Sequence, residues 1–368
     1  MREKPQLSAG EYLSLLYAVT RAGQRLMRWF GEKQKTVGTL TFTTLTGWTR
    51  GEDCPKDYKR HVIYSSCREM FGRLTVRQMQ AIQPTTIEGY TAFAKKQNFE
   101  PEIVELDDGA WGCFAGPKTA KKTLVWFHGG GYTFPATDVH WTMLSNLIEL
   151  AKKNDETLRV MLLEYELTPK GYYPLQLKQA VAAIKHLLDS GLTPSQILFG
   201  GDSAGGNLAA ALIGHLSHPH ASVSPIPLSS NLGGALLVSP WVSFTQERAS
   251  WRGNYKKDAL APTTVKIWSD SFVAQSPEDN WNQPAEAPAD WWKDIKVDSV
   301  AILGGQNEVL IDDIRELVEK MKVHNPTLEY LEAPGEAHDA IILDRSLGIK
   351  DELASEQFIN KWILDRLK

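Results

Sequence analysis

The pattern of apolar and polar positions changes character near residue 100. Before that point Leu13, Leu16, Val19, Leu26, Trp29 and Phe30 recur at near-helical spacing among charged neighbours, which predicts an amphipathic helix packed on the body. Beyond it, short apolar runs alternate with longer segments of helical period. "PEIVELDDGAWGCFAG" (101–116) predicts two short strands joined by an Asp-Asp-Gly turn. "KTLVWFHGGG" (122–131), "LRVMLLEY" (158–165), "QILFGG" (196–201), "GGALLVSPW" (233–241), "SVAILGG" (299–305) and "LEYLEAP" (328–334) predict further strands, several apolar throughout as strands covered on both faces are. Between and after them lie predicted helices: "HWTMLSNLIELAKKN" (140–154), "LQLKQAVAAIKHLLDSG" (175–191), a run opening at Ser203, "IDDIRELVEKMKVH" (311–324) and "DELASEQFINKWILDRL" (351–367). This alternation predicts a mostly parallel sheet with helices on both faces.

Two segments break the alternation. Residues 1–100 read as helix and loop, and residues 244–293 hold Trp251, Trp268, Trp281, Trp291 and Trp292 among prolines and turns. Both are expected over the carboxyl edge of the sheet, where open α/β sheets bind ligands. The chain then divides into an N-terminal helical cap region (1–100), a core (101–243 and 294–368) and a Trp-rich insertion (244–293) contributing to the cap. There is no internal repeat, and "PHASVSPIPLSS" (219–230) reads as a surface loop.

Composition narrows the function classes. With 368 residues, 42% hydrophobic and 23% charged, the chain has the make-up of a soluble globular α/β protein with insertions. A net charge of −4 supplies no broad basic field for nucleic acid or an anionic membrane. Cys54, Cys67 and Cys113 are odd in number and not at metal-ligand spacing, so no metal and no disulfide framework is expected, and a cytoplasmic location is. "YLSLLYAV" (12–19) is too short and too polar to predict stable membrane insertion, and no cleavage-site pattern follows it. Arg21, Arg25 and Arg28 keep shallow association with a membrane surface as the alternative.

Two stretches carry chemistry. In Gly201-Asp202-Ser203-Ala204-Gly205 a serine stands at the seam between a predicted strand and a predicted helix, as in a G-x-S-x-G nucleophile elbow. The glycines suit a turn so tight that a Cβ at either would clash, and the helix start places its free N–H groups toward incoming negative charge. A helix N-cap serine is the plainer alternative. In "FHGGGYTF" (127–134) three glycines allow backbone N–H groups to converge on one point, as the oxyanion of an acyl transfer requires.

"HGGGY" (128–132), "YELTPKGYYPLQ" (165–176), "GDSAGG" (201–206) and "SPW" (239–241) occur in that order. In these motifs the chain from about residue 102 onward resembles the hormone-sensitive-lipase branch of the α/β-hydrolases, with the flavour of fungal esterase-like members from specialised metabolism. The resemblance implies an α/β-hydrolase fold with a mostly parallel eight-stranded sheet under a helical cap. It implies a cofactor-free serine hydrolase of carboxylesterase or deacetylase type, working through an acyl-enzyme on Ser203. It also places the base at His338, in "APGEAHDAII" (333–342), and the acid in "GGQNEVLIDDI" (304–314). The acid's slot holds Glu308, where the family has aspartate; Asp312 is the alternative, although Asp312 and Asp313 also suit a helix's first turn. The family pattern puts the oxyanion N–H groups at Gly130, Gly131 and Ala204, and gives Asp202 the task of bracing the loops. His215, His218 and His220 read as surface or helix-end residues.

Tyr132 and Trp241 are the candidate substrate-binding residues, and the tryptophans of the insertion serve equally well as anchors of a cap. The expected partner is a hydrophobic small-molecule ester, a lactone or a biosynthetic intermediate, with a homodimer left open. Two rival functions share the motifs. One is an acyltransferase or ring-closing enzyme of biosynthesis, and the other is a non-catalytic small-molecule receptor, which the ordered Ser203, Glu308 and His338 disfavour.

Overall fold

The computed structural model describes residues 7–8, 10–11, 51, 53–72 and 74–368. The predicted amphipathic helix over Leu13–Phe30 lies outside the described residues. In chain order the structure runs through α1 (Tyr58–Phe71), α2 (Val76–Ala81), α3 (Thr86–Gln97), β1 (Glu102–Glu105), β2 (Trp111–Ala115), β3 (Lys122–Phe127), α4 (Asp138–Lys153) and β4 (Leu158–Glu164). It continues with α5 (Leu175–Asp189), β5 (Ile197–Asp202), α6 (Ala204–Ser217), β6 (Gly234–Val238), α7 (Ala249–Gly253) and α8 (Pro262–Val273). Last come β7 (Val300–Gly305), α9 (Ile311–Lys322), β8 (Glu329–Ala333), α10 (Ala340–Ser346) and α11 (Ala354–Leu367).

The eight strands form one sheet in the order β1-β2-β4-β3-β5-β6-β7-β8. β3 to β8 are parallel, and the antiparallel β1–β2 hairpin is added at one edge through β2 on β4. Strands β5, β6 and β7 are buried along their whole length, which is why they read as unbroken apolar runs. Their side chains still alternate. Val125, Phe127, Phe199, Leu237 and Ile302 face one core with α5, α6 and α9, whereas Leu124, Trp126, Leu198, Leu236 and Leu303 face the other with α4 and α11.

This topology places the site. β3 lies between β4 and β5, and the helix after β3 covers one face while the helix after β5 covers the other. The loops leaving these paired strands therefore diverge and open a crevice at their carboxyl ends, where Phe127 stands opposite Gly201.

The segments before and within the core dock on this edge. Thr86 Oγ1 accepts the Ala136 N–H at 3.1 Å, and Gln80 donates to the carbonyls of Thr133 and Thr168 at 3.0 and 2.6 Å. From α1, Arg60 and Tyr64 both bond the buried Asp344 of α10. The insertion contributes α7 and α8. The three cysteines are free, and no helix among the described residues is long and apolar enough to cross a membrane.

Candidate active site

The turn after β5 explains why its sequence is so small. A Cβ on Gly205 would overlap the Phe127 carbonyl, and one on Gly201 would overlap the backbone of both Phe127 and Gly205. Strand and helix can meet this closely only with hydrogen at both positions. Ser203 at the apex has φ 52° and ψ −113°, an uncommon conformation for a residue with a Cβ. It is held by its N–H on Val238 O (2.9 Å) and by its carbonyl, which accepts from the N–H groups of Trp241 and Asn207 (3.0 Å each). The hydroxyl is thereby raised above the sheet.

Ser203 Oγ lies 2.9 Å from His338 Nε2, and His338 Nδ1 lies 2.7 Å from Glu308 Oε2. A carboxylate can only accept, so Nδ1 carries the proton and Nε2 is left to accept from the serine. Glu308 Oε1 accepts the Gly305 N–H at 2.6 Å and the Ser239 hydroxyl at 3.2 Å, so both oxygens are engaged. Asp312, the alternative acid, points elsewhere: it accepts from the Ser250 N–H at 2.8 Å and pairs with Arg315 at 2.7 Å. Asp313 is paired with Arg248.

Burial shapes the charges. It opposes a proton on His338, but the hydrogen bond and charge of Glu308, with Asp258 and Asp202 beyond, prevail and hold the imidazole above its ordinary pKa. Burial also pushes Glu308 up, against the pull of His338. Asp339, beside His338, is driven well above the carboxylate range by burial first and then by the nearby Asp202. Burial would raise Asp202 as well, yet His140 and the hydrogen bond from Trp126 keep it low.

The glycine loop follows β3. Gly130 and Gly131 have φ of 105° and 60°, and a Cβ on Gly131 would overlap the Trp268 ring. The N–H groups of Gly130, Gly131 and Ala204 have no acceptor among the described residues. Asp202 ties this loop to the elbow: its Oδ1 accepts from Trp126 Nε1 at 2.8 Å, and its Oδ2 accepts from the Gly129 N–H at 2.8 Å and faces His140 Nε2 at 3.2 Å. Tyr165 packs flat on His128 and donates to its carbonyl at 2.6 Å.

A cavity of about 640 Å³ reaches Ser203, His338 and Gly130. Its walls come from α1 (Cys67, Phe71), α3 (Phe93), the loop after β3 (Phe134), α8 (Trp268) and α10 (Leu343). Tyr132 and Trp241 are not among them. Tyr132 follows the two left-handed glycines, so its ring turns back under the loop, stacks on Phe272 at 3.8 Å and donates to Asn207 Oδ1 at 2.7 Å. Trp241 is buried and packs on Phe244. The aromatic wall is instead supplied by Phe71, Phe93, Phe134 and Trp268, which the sequence reading did not single out as site residues.

Of the insertion's tryptophans only Trp268 reaches the cavity; Trp281 and Trp291 pack on His220 and His218. His215 sits at the end of α6 but is buried, contrary to a surface placement, with its ring bonded to Ser224 O and the His220 N–H. No cluster of three or more His, Cys, Asp or Glu able to hold a metal ion occurs among the described residues.

A serine on a strand-to-helix turn, a histidine and an acid on later strand ends, and a glycine loop beside them define a class of protein. The profile of a family described as alpha/beta hydrolase fold matches residues 124–342, and the chain belongs to that family. Among curated proteins it is similar to an acetyl-hydrolase of Streptomyces hygroscopicus, with 29% identity over 53% of this chain and 60% of that one. It is also similar to steryl acetyl hydrolase 1 of Saccharomyces cerevisiae, with 26% identity over 55% of this chain and 49% of that one. The match thus spans about half of these relatives' length. Among solved structures, a thermostable esterase from Pseudomonas putida superposes with a TM-score of 0.65 at 17% identity, covering 85% of this chain and 98% of that one. Carboxyl esterase 2 from the fungus Tuber melanosporum superposes with a TM-score of 0.62 at 20% identity, covering 73% and 88%. These likenesses establish the fold.

Proposed function

We propose that the protein is a carboxylic ester hydrolase that cleaves small-acyl esters or lactones of hydrophobic small molecules through an acyl-enzyme on Ser203. The observation that carries this reading is the hydrogen-bonded chain from Ser203 Oγ through His338 to Glu308, opening on an apolar cavity. Similarity to proteins named for acetyl hydrolysis supports a short acyl group.

In the proposed reaction Ser203 Oγ attacks the ester carbonyl while its proton passes to His338 Nε2. The carbonyl π pair moves onto oxygen, and the N–H groups of Gly130, Gly131 and Ala204 receive that oxyanion. Glu308 keeps the proton on Nδ1 and supports the imidazolium. Collapse of the tetrahedral intermediate breaks the C–O bond, and Nε2–H protonates the departing alkoxide. Water, deprotonated by the same nitrogen, then releases the acid and restores Ser203.

The test is hydrolysis of p-nitrophenyl acetate through dodecanoate by the wild type and Ser203→Ala. A rate on the short esters that vanishes in the variant is expected. Activity equal in the two proteins would refute the reading.

A further inference from the structure

The turn that carries Glu308 is gripped by three polar side chains of the insertion. Ser250, Asn254 and Asp258 are four residues apart on a helical path: the Asn254 N–H donates to Ser250 O at 2.8 Å and the Asp258 N–H to Asn254 O at 3.1 Å. They therefore share one face, and that face meets the turn. Ser250 Oγ donates to Val309 O at 2.6 Å. Asn254 Nδ2 donates to the carbonyls of Gln306 and Glu308 at 3.1 and 3.0 Å. Asp258 Oδ2 accepts the Val309 N–H at 2.7 Å, while its Oδ1 accepts the Ala259 N–H at 2.6 Å. Asp258 is fully buried, and its backbone carbonyl accepts from Arg68 of α1.

A carboxylate is an expensive group to bury, and Asp258 is compensated by three backbone N–H donors, those of Val309, Ala259 and Leu260, spread over both of its oxygens. Its placement is explained by what it touches. A glutamate in the acid's position has one more rotatable bond than an aspartate, so its carboxylate is well placed only if its backbone is fixed. We infer that Asp258 is a positioning residue: with Asn254 it fixes the Glu308 turn so that Oε2 meets His338 Nδ1. The inference rests on the proposed roles of Ser203, His338 and Glu308. The charged and titratable groups around this cluster are Glu308 on its turn, Asp312 on the Ser250 N–H, Asp202 on the elbow, Asp339 beside His338, and Tyr64 and Arg68 on α1, and burial raises the Asp258 carboxyl itself.

The experiment compares Asp258→Asn and Asn254→Ala with the wild type for kcat, KM and the pH dependence of kcat/KM on p-nitrophenyl acetate. Folded fraction is followed by thermal melting, and competent sites are counted by fluorophosphonate labelling of Ser203. Asp258→Asn keeps the shape but removes the charge and one acceptor. Its kcat per labelled site should fall about 10- to 100-fold, as when an orienting outer partner is lost, with KM within about threefold. The acid limb of kcat/KM should move to lower pH, because His338 loses a negative neighbour. Asn254→Ala, which changes no charge, should lower kcat without moving that limb.

A kcat per labelled site equal to wild type with an unmoved limb in Asp258→Asn overturns the inference, and so does a loss explained entirely by unfolded protein. If Asp258→Asn does not fold, Asn254→Ala decides: an unchanged kcat per labelled site refutes the positioning role, and a reduced one supports it. Wild-type activity that survives Ser203→Ala would instead refute the underlying reading of the site.

Discussion

On the proposed mechanism, replacing Glu308 with glutamine tests the role of the acid more sharply than deleting it. Oε1 receives two donors, the Gly305 N–H at 2.6 Å and the Ser239 hydroxyl, whereas Oε2 receives only His338 Nδ1–H. A glutamine has one oxygen and one NH2 for these two places. Setting the NH2 against the Gly305 N–H would oppose two buried donors at close range, so the oxygen takes the Oε1 place and the NH2 faces His338. The ring must then accept at Nδ1 and carry its proton on Nε2, where it can no longer take one from Ser203. A wrong-tautomer substitution of this kind costs about 10⁴ in kcat, or about 5.5 kcal/mol of transition-state stabilisation. Initial rates on p-nitrophenyl acetate for the wild type, Glu308→Gln and Asp312→Asn test this, with the Ser203→Ala rate as the floor and a melting curve for each. Asp312→Asn retains an acceptor for the Ser250 N–H and should stay within about threefold of wild type, as surface polar changes do. A Glu308→Gln enzyme with more than about a tenth of wild-type kcat would refute the tautomer argument.

Two further outcomes follow from the site. On the proposed mechanism His338 must be neutral to act, and Glu308 holds it above its ordinary value, so kcat/KM should rise with pH through a midpoint above about 6.5; a midpoint at or below that value would count against the pairing. Trp268→Ala removes a buried ring that packs edge-on against Phe134 and lies on Gly131. It should cost about 3–5 kcal/mol of stability and raise kcat/KM for octanoate relative to acetate; an unchanged ratio would remove Trp268 from the acyl-facing wall.

What the sequence made legible was what is written in neighbouring residues. Each predicted strand is present because an apolar run bounded by glycine or polar residues has few other ways to be buried. The elbow was legible because only hydrogen fits at Gly201 and Gly205. α10 was missed: it is one seven-residue segment entered from the left-handed Asp339, with no side-chain cap to announce it. Direction was also hidden. An aromatic after three glycines looks like a cavity wall, and the positive φ of Tyr132 that turns its ring inward has no local signature. Asp258, in a stretch beginning "NYKKD", looks like any solvated acid until the fold brings Val309 to it. The cavity walls are drawn from segments near residues 67–96, 134, 268 and 343, and no window of sequence contains that arrangement.

Asp202 gives the site a common datum. Ser203 and the glycine loop stand at the ends of neighbouring strands, β5 and β3, although Asp202 and Gly129 are 73 residues apart in the chain. The residue adjoining Ser203 grips Gly129 directly, and Trp126 on the strand below, so in the proposed reaction one carboxylate joins the segment of the attacking oxygen to that of the oxyanion donors. A displacement of the sheet edge that preserves these two bonds carries both parts together.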